Sequence, residues 1–455
     1  MPDVYRQLLR QPLTLLLGIL LVASPLLYWS GVREASALPR FALFAVLSAL
    51  GVALWAWRVR SGTQIQRWHP LWLVVVALWA WAALSGWWTV DPRNWRTELI
   101  QLTTFVILGY LAMQAASRRN AVALMGCALG AASVAALIGI GQQFGLNPLD
   151  IRQMAPPSAT FANKNIATQY FDFIVPAALM LTLLARGHTL RWLSALGFGL
   201  CLSFVMVSRT RGSWLGLLVA LVVLIVMVAR DPALRALLGS RLRSSRMPLL
   251  VAVAMAAVLF ALPGVRSDHG KTEQLLSGTL DGSSRTRIAA YVNSLAMIED
   301  HPLSGVGLGG FSLGFRPYMF HTLPLTSAGE SRVMARLHND YLQAFTELGL
   351  PGGLLFLAVV VMILRAGHHA LRSERPLTRL VSLGLLLSLV AGMVHGAVSF
   401  PLHKPSSAAQ FWIWTGLLLG LMTPALASQS PRRLPERLAV VPLILGGAFL
   451  VVSVG

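Results

Sequence analysis

The chain has 455 residues, of which 56% are hydrophobic and only 12% are charged. Soluble globular domains have roughly 45–50% apolar and about 25% charged residues, so the composition excludes that class and predicts an all-α polytopic integral membrane protein. The formal net charge is +20. A chain this basic either binds nucleic acid or carries its charge where membrane topology places it.

Apolar runs of membrane-crossing length recur along the whole chain. A run of about 17–22 apolar residues is long enough to cross the hydrocarbon core of a bilayer. Twelve spans are predicted, at 12–29, 41–57, 70–88, 99–116, 121–141, 165–185, 192–208, 213–229, 248–263, 348–364, 380–400 and 408–426. A further run at 438–454 is either a thirteenth span or a terminal segment.

The placement of the basic residues distinguishes the two explanations of the charge. If the N-terminus is cytoplasmic, the inner segments hold 21 Lys and Arg residues, whereas the short outer segments hold nine. An excess of basic residues on the cytoplasmic side is the usual orientation signal of membrane proteins. Most of the charge is therefore a topology signal, so the lipid bilayer is an expected partner and nucleic acid is not.

One long polar segment interrupts the spans. It occupies 264–347 and divides the chain into spans one to nine at 1–263 and the remaining spans, with a C-terminal apolar segment, at 348–455. Seven further Lys and Arg residues lie in this segment, which is too long for its charge to report on orientation. The order of the spans places the segment on the outer side of the membrane.

Two helices and a glycine turn are predicted inside this outer loop. Serines at 283–284 can cap a helix whose apolar residues recur at three- and four-residue spacing as far as about Glu299. Four glycines within 305–310 predict a flexible turn, which lacks the strand–turn–helix context of a nucleotide-binding loop. The stretch 332–348 predicts a second, amphipathic helix. Two such helices on the membrane surface would roof a cavity.

His338 is the leading candidate for chemistry. It occupies a position on the predicted 332–348 helix that is otherwise held by apolar residues, so it is expected to face the bilayer or a cavity. An imidazole that titrates near neutrality is a natural general base for a sugar hydroxyl. The alternative is a structural histidine bonded to a backbone carbonyl, and the residue alone does not decide between them.

Two arginines stand in the very short outer link at 208–212. Arg209 and Arg211 run against the positive-inside bias. Guanidinium groups bind phosphate oxygens in pairs and stay charged at any relevant pH, so a phosphate clamp is one prediction. The alternative is that these side chains extend toward lipid head groups.

Arg287 stands at the start of the first loop helix, one turn before Tyr291. The N-terminus of a helix favours anions, so an arginine at this position would reinforce phosphate binding. An exposed surface arginine is the alternative.

A further group of polar residues precedes the sixth span. Asn163, Lys164 and Asn165 offer amide and ammonium donors at the membrane surface, which would suit a sugar–phosphate head group. A polar helix cap is the alternative at this position. Asp172 in the sixth span and His395 in the eleventh are ionisable residues near membrane depth, and such residues are functional candidates by default.

The motifs occur in an order that resembles the O-antigen ligase superfamily. This superfamily comprises lipopolysaccharide O-antigen ligases, O-antigen polymerases and pilin O-oligosaccharyltransferases. The segments that carry the resemblance are Thr160-Phe161-Ala162-Asn163-Lys164-Asn165, Ser208-Arg209-Thr210-Arg211-Gly212, Arg287-Ile288-Ala289-Ala290-Tyr291, His301-Pro302-Leu303-Ser304-Gly305-Val306-Gly307, His338-Asn339-Asp340-Tyr341-Leu342 and Glu347-Leu348-Gly349. Lys164 departs from the pattern, because many relatives have proline there.

The resemblance implies a multi-span glycosyltransferase of the lipid-donor type, similar in fold to GT-C enzymes. The donor would be a glycan on undecaprenyl pyrophosphate, and the ligase branch would transfer it to lipid A–core at the periplasmic face of the bacterial inner membrane. By motif position, His338 would take the catalytic histidine role, and Arg211 and Arg287 those of the essential arginines. No cofactor is implied, and inversion of the anomeric centre without a metal agrees with a sequence that has no clear acidic cluster.

Polymerase and pilin-modifying activities are the close alternatives within the superfamily, and the sequence separates them poorly from the ligase. From another class, a lipid-linked sugar transporter would also be polytopic and basic on its outer side. A transporter is expected to show paired broken helices or several charges near the membrane midplane, and the sequence shows few. The residues predicted to bind substrate beside the three catalytic candidates are Arg209, Asn163, Lys164, Asn165, Tyr291, Asn339 and Tyr341.

Overall fold

The computed structural model describes residues 11–32, 34–62, 66–147, 149–262, 282–320, 322–323 and 334–423. Within these ranges the regular structure is helical, apart from one isolated bridge between Ala155 and Asn163. Among the described residues, nine helices are long and apolar enough to cross a membrane, and two shorter apolar helices accompany them. The predicted all-α polytopic class is confirmed.

We number the α-helices in chain order. They are α1 (Pro12–Leu26), α2 (Leu38–Arg60), α3 (Leu71–Leu84), α4 (Pro92–Ala115), α5 (Arg118–Gln143), α6 (Lys164–Leu184), α7 (His188–Ser208), α8 (Arg211–Arg230), α9 (Pro232–Ala261), α10 (Gly282–Asp300), α11 (Phe311–Gly314), α12 (Asp340–Ala370), α13 (Pro376–Gly396) and α14 (Pro405–Met422). Short 3-10 turns occur at Ser85–Trp87, Arg316–Tyr318 and Pro401–His403. Each of the twelve predicted spans falls on one of these helices. The apolar run at 438–454 lies outside the described residues.

Several helices begin where the sequence offers the side chains that helix N-termini need. The side chains of Asp91, Ser117, Asn163, Asp231 and Asn339 accept hydrogen bonds from backbone N–H groups at the starts of α4, α5, α6, α9 and α12. Such caps satisfy N–H groups that have no partner inside the helix. They therefore fix the residue at which each helix begins, and with it the position of the neighbouring side chains.

The centre of the bundle is formed by α4, α6 and α13. In the most apolar stretch of these helices 78% to 89% of the residues are buried, against 17% for α8 and 28% for α9, which lie at the periphery. Glycine permits close approach in the centre, since a Cβ on Gly109 of α4 would lie 2.9 Å from the carbonyl oxygen of Trp412 of α14. Small residues at such contacts are a usual means of helix association in lipid.

The outer loop begins, in its described part, with α10, which agrees with the predicted first loop helix. The glycine turn at 305–310 follows and packs on the link between α3 and α4. The N–H of Val90 donates to Val306 O at 3.2 Å, and Trp88 Nε1 donates to Ser304 O at 3.0 Å. The turn is therefore a structural connection between the loop and the bundle.

The second loop helix is shorter than the sequence predicts. Residues 334–339 are not helical, and α12 begins at Asp340 rather than near Arg332. His338 has a left-handed backbone with φ of 60°, and Asn339 is extended and caps α12. The prediction that His338 lies on a helix face is therefore wrong. It occupies the turn before the helix, because a left-handed residue ends a helical path.

The first turns of α12 form a short helix of their own. Gly349 has φ of 65° and ψ of −172°, which are not helical values. Beside it, the N–H of Leu350 donates to Pro302 O at 2.7 Å. The piece 340–348 is thereby tied to the outer loop and positions the residues that precede it, whereas the rest of α12 runs through the bundle.

Candidate active site

Two of the predicted catalytic side chains meet at residues 397–400, a short turn that follows α13. Arg287 of α10 donates from Nη1 to the carbonyl oxygen of Val398 at 3.1 Å. The ring of His338 contacts the ring of Phe400, with centroids 4.7 Å apart and an angle of 74° between the planes. The 397–400 turn therefore connects the outer loop with the N-terminal residues of α12.

The first turn of α8 packs against the same place. A Cβ added to Gly212 would lie 2.7 Å from the ring of His395 and 3.1 Å from Val398 Cγ2, so the approach depends on glycine. Arg211, the residue before it, is the first residue of α8 and is exposed. The fold thus brings Arg287 and His338 to one turn from separate parts of the chain, and the residue that follows Arg211 packs against the same turn.

His338 is held by its backbone, while one nitrogen of its ring is left without a hydrogen bond. Tyr291 Oη donates to the carbonyl oxygen of His338 at 2.7 Å. Among the described residues, none bonds to the buried Nδ1 of the ring. Burial, together with the positive charges of Arg287 and Lys404, lowers the pKa of His338 to about 4. The imidazole is therefore neutral at neutral pH, but its pKa lies below the near-neutral value that the sequence analysis expected of a general base.

Residues 196–357 match a family model described as O-Antigen ligase. The match supports the O-antigen ligase superfamily for this part of the chain. The resemblance drawn from the motifs is confirmed, and the match supports the ligase, polymerase and oligosaccharyltransferase class in general. All three catalytic candidates lie inside the match, whereas the 397–400 turn lies outside it. No curated protein matches the chain.

Two of the predicted substrate-binding residues shape a turn beside Arg211. Asn163 Oδ1 accepts the N–H of Asn165 at 2.8 Å and caps α6. Asn165 Oδ1 in turn accepts a hydrogen bond from Thr210 Oγ1 at 3.3 Å, one residue before Arg211. Lys164 lies between the two asparagines and is half-buried. The asparagines thus hold the link in place, and contact of the three residues with substrate stays a prediction.

Arg209 has a different neighbour. It ends α7 in a left-handed conformation with φ of 54°, and its guanidinium carbon lies 5.7 Å from the centroid of the Phe260 ring on α9. A guanidinium over an aromatic face is a favourable cation–π contact. The two arginines of the short link are therefore separated, since Arg211 begins α8 beside the 397–400 turn and Arg209 packs on the peripheral α9.

The two residues predicted to bind substrate after His338 are bonded within the fold. Asn339 Oδ1 accepts the N–H groups of Tyr341 and Leu342, both at 3.0 Å. Tyr341 Oη donates to the carbonyl oxygen of Met393 at 3.1 Å. These bonds fix the start of α12 against α13, and through it the turn that carries His338.

Three buried polar residues, Asp172, Ser213 and His395, contact one another near the start of α8, where Arg211 lies. His395 Nδ1 lies 2.5 Å from Asp172 Oδ2, and Ser213 Oγ donates to Asp172 Oδ1. Both ionisable residues singled out near membrane depth are thus bonded to each other, as is common for charges in such positions. Because Ser213 is two residues after Arg211, the trio holds the first turn of α8 in its place.

The 397–400 turn and Lys404 are features of the candidate site that the sequence analysis missed. The turn fell inside a predicted span at 380–400, although α13 ends at Gly396. It is anchored to the centre of the bundle by Gln169, whose Nε2 donates to Ser399 Oγ at 2.7 Å. One signal was present, because Lys404 is the single charged residue of the outer link 401–407 and runs against the same bias that singled out Arg211.

Next to the site lies a set of paired charges, which we call the ion-pair network; its members are Glu98, Arg336, Asp340 and His403. Arg336 forms an ion pair with Glu98. His403 lies between two carboxylates, with Nδ1 3.2 Å from Glu98 Oε2 and Nε2 3.6 Å from Asp340 Oδ1. Burial acts to lower the pKa of Arg336, but the carboxylates, Glu98 foremost, raise it overall. The network ties the backbone two residues before His338 to α4.

Proposed function

We propose that this protein is an O-antigen ligase that transfers a glycan from undecaprenyl pyrophosphate to a hydroxyl of lipid A–core at the periplasmic face of the inner membrane. The observation that carries the proposal is the meeting of Arg287 and His338 at the 397–400 turn, against which Gly212, the residue after Arg211, also packs. A neutral base and two permanent cations at one end of a membrane bundle are the groups that transfer from an anionic lipid carrier requires.

The reaction is a single displacement with inversion. The acceptor hydroxyl gives its proton to the imidazole of His338 as its oxygen attacks the anomeric carbon of the first donor sugar. The bond between that carbon and the pyrophosphate oxygen breaks, and its electron pair leaves with the pyrophosphate. The products are the glycosylated acceptor, undecaprenyl pyrophosphate and an imidazolium, which returns its proton to water.

His338 suits the role of base because its ring nitrogen Nδ1 has no hydrogen-bond partner among the described residues. A buried nitrogen without a hydrogen bond is costly, and Nδ1 of His338 is in that state among the described residues. A substrate hydroxyl that donates to this nitrogen satisfies it and is aligned for proton transfer. The Tyr291 bond to the His338 carbonyl keeps the ring at the site.

The arginines act on the leaving group. Negative charge builds on the pyrophosphate as the glycosidic bond breaks, and fixed cations stabilise it more strongly in a site of low dielectric than in water. Arg287 uses Nη1 for Val398, which leaves other N–H groups of its fork for phosphate oxygens. Arg211 supplies the second cation from the start of α8.

The proposed mechanism needs no metal ion, since the two arginines take the place of a cation on the pyrophosphate. We expect the rate of transfer in proteoliposomes to be unchanged by EDTA. An absolute requirement for a divalent cation would contradict this part of the mechanism.

Purified protein in proteoliposomes tests the function. The donor is undecaprenyl-pyrophosphate glycan, and lipid A–core, a pilin or a second molecule of donor is supplied separately as acceptor. We expect glycosylated lipid A–core of inverted anomeric configuration and an equal amount of free undecaprenyl pyrophosphate. Glycosylation of the pilin or extension of the donor glycan assigns the alternative family activities. Movement of intact donor across the bilayer without any transfer assigns a transporter.

A histidine variant tests the base. We expect His338→Ala to lower the transfer rate by about 10²–10⁴-fold, the usual contribution of general base catalysis, with an unchanged unfolding temperature. His301→Ala, at an exposed histidine of the same loop, is the matched control and should keep full activity. Full activity of His338→Ala would sink the assignment.

A further inference from the structure

Lys404 lies beside the site, at the residue that precedes α14. Its Nζ is 5.0 Å from the centroid of the Phe400 ring, and the same ring contacts His338. Lys404 is thus one aromatic ring away from the proposed base. Lys404 lies in the link between α13 and α14, whereas Arg211 and Arg287, the other cations of the site, lie on α8 and α10.

Within the described part of the chain, the ammonium group of Lys404 has no counter-ion in contact. Among the described residues, no hydrogen bond or ion pair to a carboxylate is formed by Lys404, and its close contact is the Phe400 ring. Burial lowers the pKa of Lys404, as does the charge of Arg336, and the more distant Glu34 and Glu98 act in the opposite direction. A desolvated cation of this kind is costly unless an anion accompanies it.

Arg287, the second cation that acts on His338, also lacks a bonded carboxylate in the described part of the chain. Arg287 bonds a carbonyl oxygen and, in the described part of the chain, no carboxylate. Among the described residues, the charged and titratable groups that act on His338 or bond to it are Arg287 and Tyr291 from α10 and Lys404 from the residue before α14, while Asp340 begins α12 two residues after it. Of these described groups Asp340 alone is acidic, and it bonds His403 and the N–H of Leu402 rather than these cations.

We propose that Lys404 is a third anion-binding residue of the site, which together with Arg287 binds the phosphate of a lipid, namely the pyrophosphate of the glycan donor. This inference rests on the proposed function, because it assigns a further contact to the same donor. The shared chemistry is a lipid phosphate at the membrane surface. The bilayer's own phospholipids are the other source of that group, and the experiment distinguishes the two.

A consequence for the base follows from the same arrangement. The two cations disfavour a proton on His338 while the site is empty, and an anion bound between them cancels their effect. The imidazole therefore becomes a stronger base when the donor arrives. Proton abstraction is thereby coupled to donor binding, and His338 stays unprotonated while the site is empty.

Substitutions of Lys404 test the contact through kinetics. We expect Lys404→Gln to raise the KM for undecaprenyl-pyrophosphate glycan by about 10-fold or more, which is the worth of one charge-assisted hydrogen bond, with a smaller change in kcat. Lys404→Arg should restore most of the affinity because it restores the charge. Arg316→Gln, which removes an exposed cation of the same loop, should change nothing. A KM for Lys404→Gln equal to that of the unsubstituted protein overturns the proposal, and so does a Lys404→Arg variant as weak as Lys404→Gln.

A pH profile separates a charge effect from a packing effect. In Lys404→Gln the acid limb of kcat/KM for the donor should move to higher pH, because one of the two charges that oppose protonation of His338 is gone. Lys404→Arg should leave the limb where it is. If the acid limb of kcat/KM does not move in Lys404→Gln, the charge of Lys404 does not affect the protonation of His338. This result overturns the proposed coupling.

Lysine labelling tests the contact without any transfer reaction. The chain has three lysines, Lys164, Lys271 and Lys404, so acylation of each amine can be followed by mass spectrometry in phosphatidylcholine nanodiscs. We expect undecaprenyl pyrophosphate to protect Lys404, and phosphatidylglycerol at equal concentration not to. Equal protection by phosphatidylglycerol assigns the residue to bilayer lipid and overturns the donor contact, as does no protection by either lipid. Because labelling needs no acceptor, it can succeed where the proposed ligase function fails, and the two failures are distinguishable.

Discussion

Two groups of charged residues lie side by side at the loop end of the bundle, and they differ in where their counter-ions are. In the ion-pair network Arg336 bonds Glu98, and His403 lies between Glu98 and Asp340. At the site, Arg287 bonds a carbonyl oxygen and Lys404 contacts an aromatic ring, with no carboxylate bonded to either among the described residues.

This difference in counter-ions predicts different roles for the two groups. Charges that are balanced inside the protein cost little once folded and are costly to separate, so the network is expected to determine stability. Cations without internal partners gain theirs from a ligand, so the site is expected to determine activity. Arginine and histidine occur in both groups, and their residue types alone do not tell them apart.

The largest expected effect is on stability, from breaking the network. Glu98→Gln leaves the half-buried Arg336 without its counter-charge, and removal of one partner of a buried pair costs about 3–5 kcal/mol. The free energy of unfolding in detergent measures this loss. Glu299→Gln, at an exposed carboxylate of α10, is the control and should change it by less than about 0.5 kcal/mol.

A double substitution sharpens the same prediction. Glu98→Gln combined with Arg336→Gln removes both charges, so we expect it to recover much of the stability lost in the single variant. If the double variant is no more stable than Glu98→Gln alone, the two residues are not coupled and the network does not have the structural role given to it.

The next effect is on activity, from the site. Arg287→Gln should lower the rate of transfer by about 10²–10³-fold, as loss of one fixed group that stabilises developing negative charge does, while the unfolding temperature stays the same. Arg285→Gln is a close control, because this arginine lies two residues earlier on α10 and is exposed. Equal loss of activity in both variants would mean that α10 needs general positive charge rather than Arg287 at the 397–400 turn.

A smaller effect is expected where α8 meets the 397–400 turn. Gly212→Ala places a Cβ 2.7 Å from the His395 ring, so the first turn of α8 has to shift, at a cost of about 1–3 kcal/mol. Arg211 shifts with it, and the KM for the donor should rise. Gly126→Ala on α5 meets no atom within 4 Å and should be neutral or slightly stabilising. An unchanged KM for Gly212→Ala would show that the position of Arg211 is not set by this contact.

The smallest effect is a dependence of stability on pH. The pKa of His338 is about 4 in the fold and about 6.5 when unfolded, so the unfolded chain binds more protons between these values. Stability is therefore complete above pH 6.5 and falls as the pH is lowered toward 4. His338→Gln removes this contribution, of roughly 1–2 kcal/mol for a half-buried ring. Identical pH profiles of unfolding for the two proteins would contradict the lowered pKa.

Local pattern was enough to predict the helices and the first loop helix. The run at 121–141 became α5, Arg118–Gln143, because the length of a bilayer and the need to satisfy backbone groups inside it leave few alternatives. The error at 332–348 has a physical cause. The apolar spacing continues through His338, but Asn339 followed by Asp340 supplies a helix cap, and the cap determined where α12 begins.

Local sequence patterns could not predict the contacts between distant parts of the chain. Asp172 and His395 are 223 positions apart, and Arg287 is 111 positions from Val398. Periodicity reports which face of a helix is apolar and says nothing of which helix lies opposite. The role of the 397–400 turn and of Lys404 therefore became visible only when the helices were packed.

The sequence by itself determined the helical membrane class and, through its ordered motifs, the O-antigen ligase family resemblance. It also singled out Arg211 as a cation that opposes the positive-inside bias, Arg287 as an arginine at a helix N-terminus, and His338 as a histidine among apolar residues. Only the tertiary structure decided which charges are balanced within the protein and which have no carboxylate partner among the described residues. The reason is that the energy of a buried charge depends on its nearest counter-ion, and that neighbour is set by packing rather than by position along the chain.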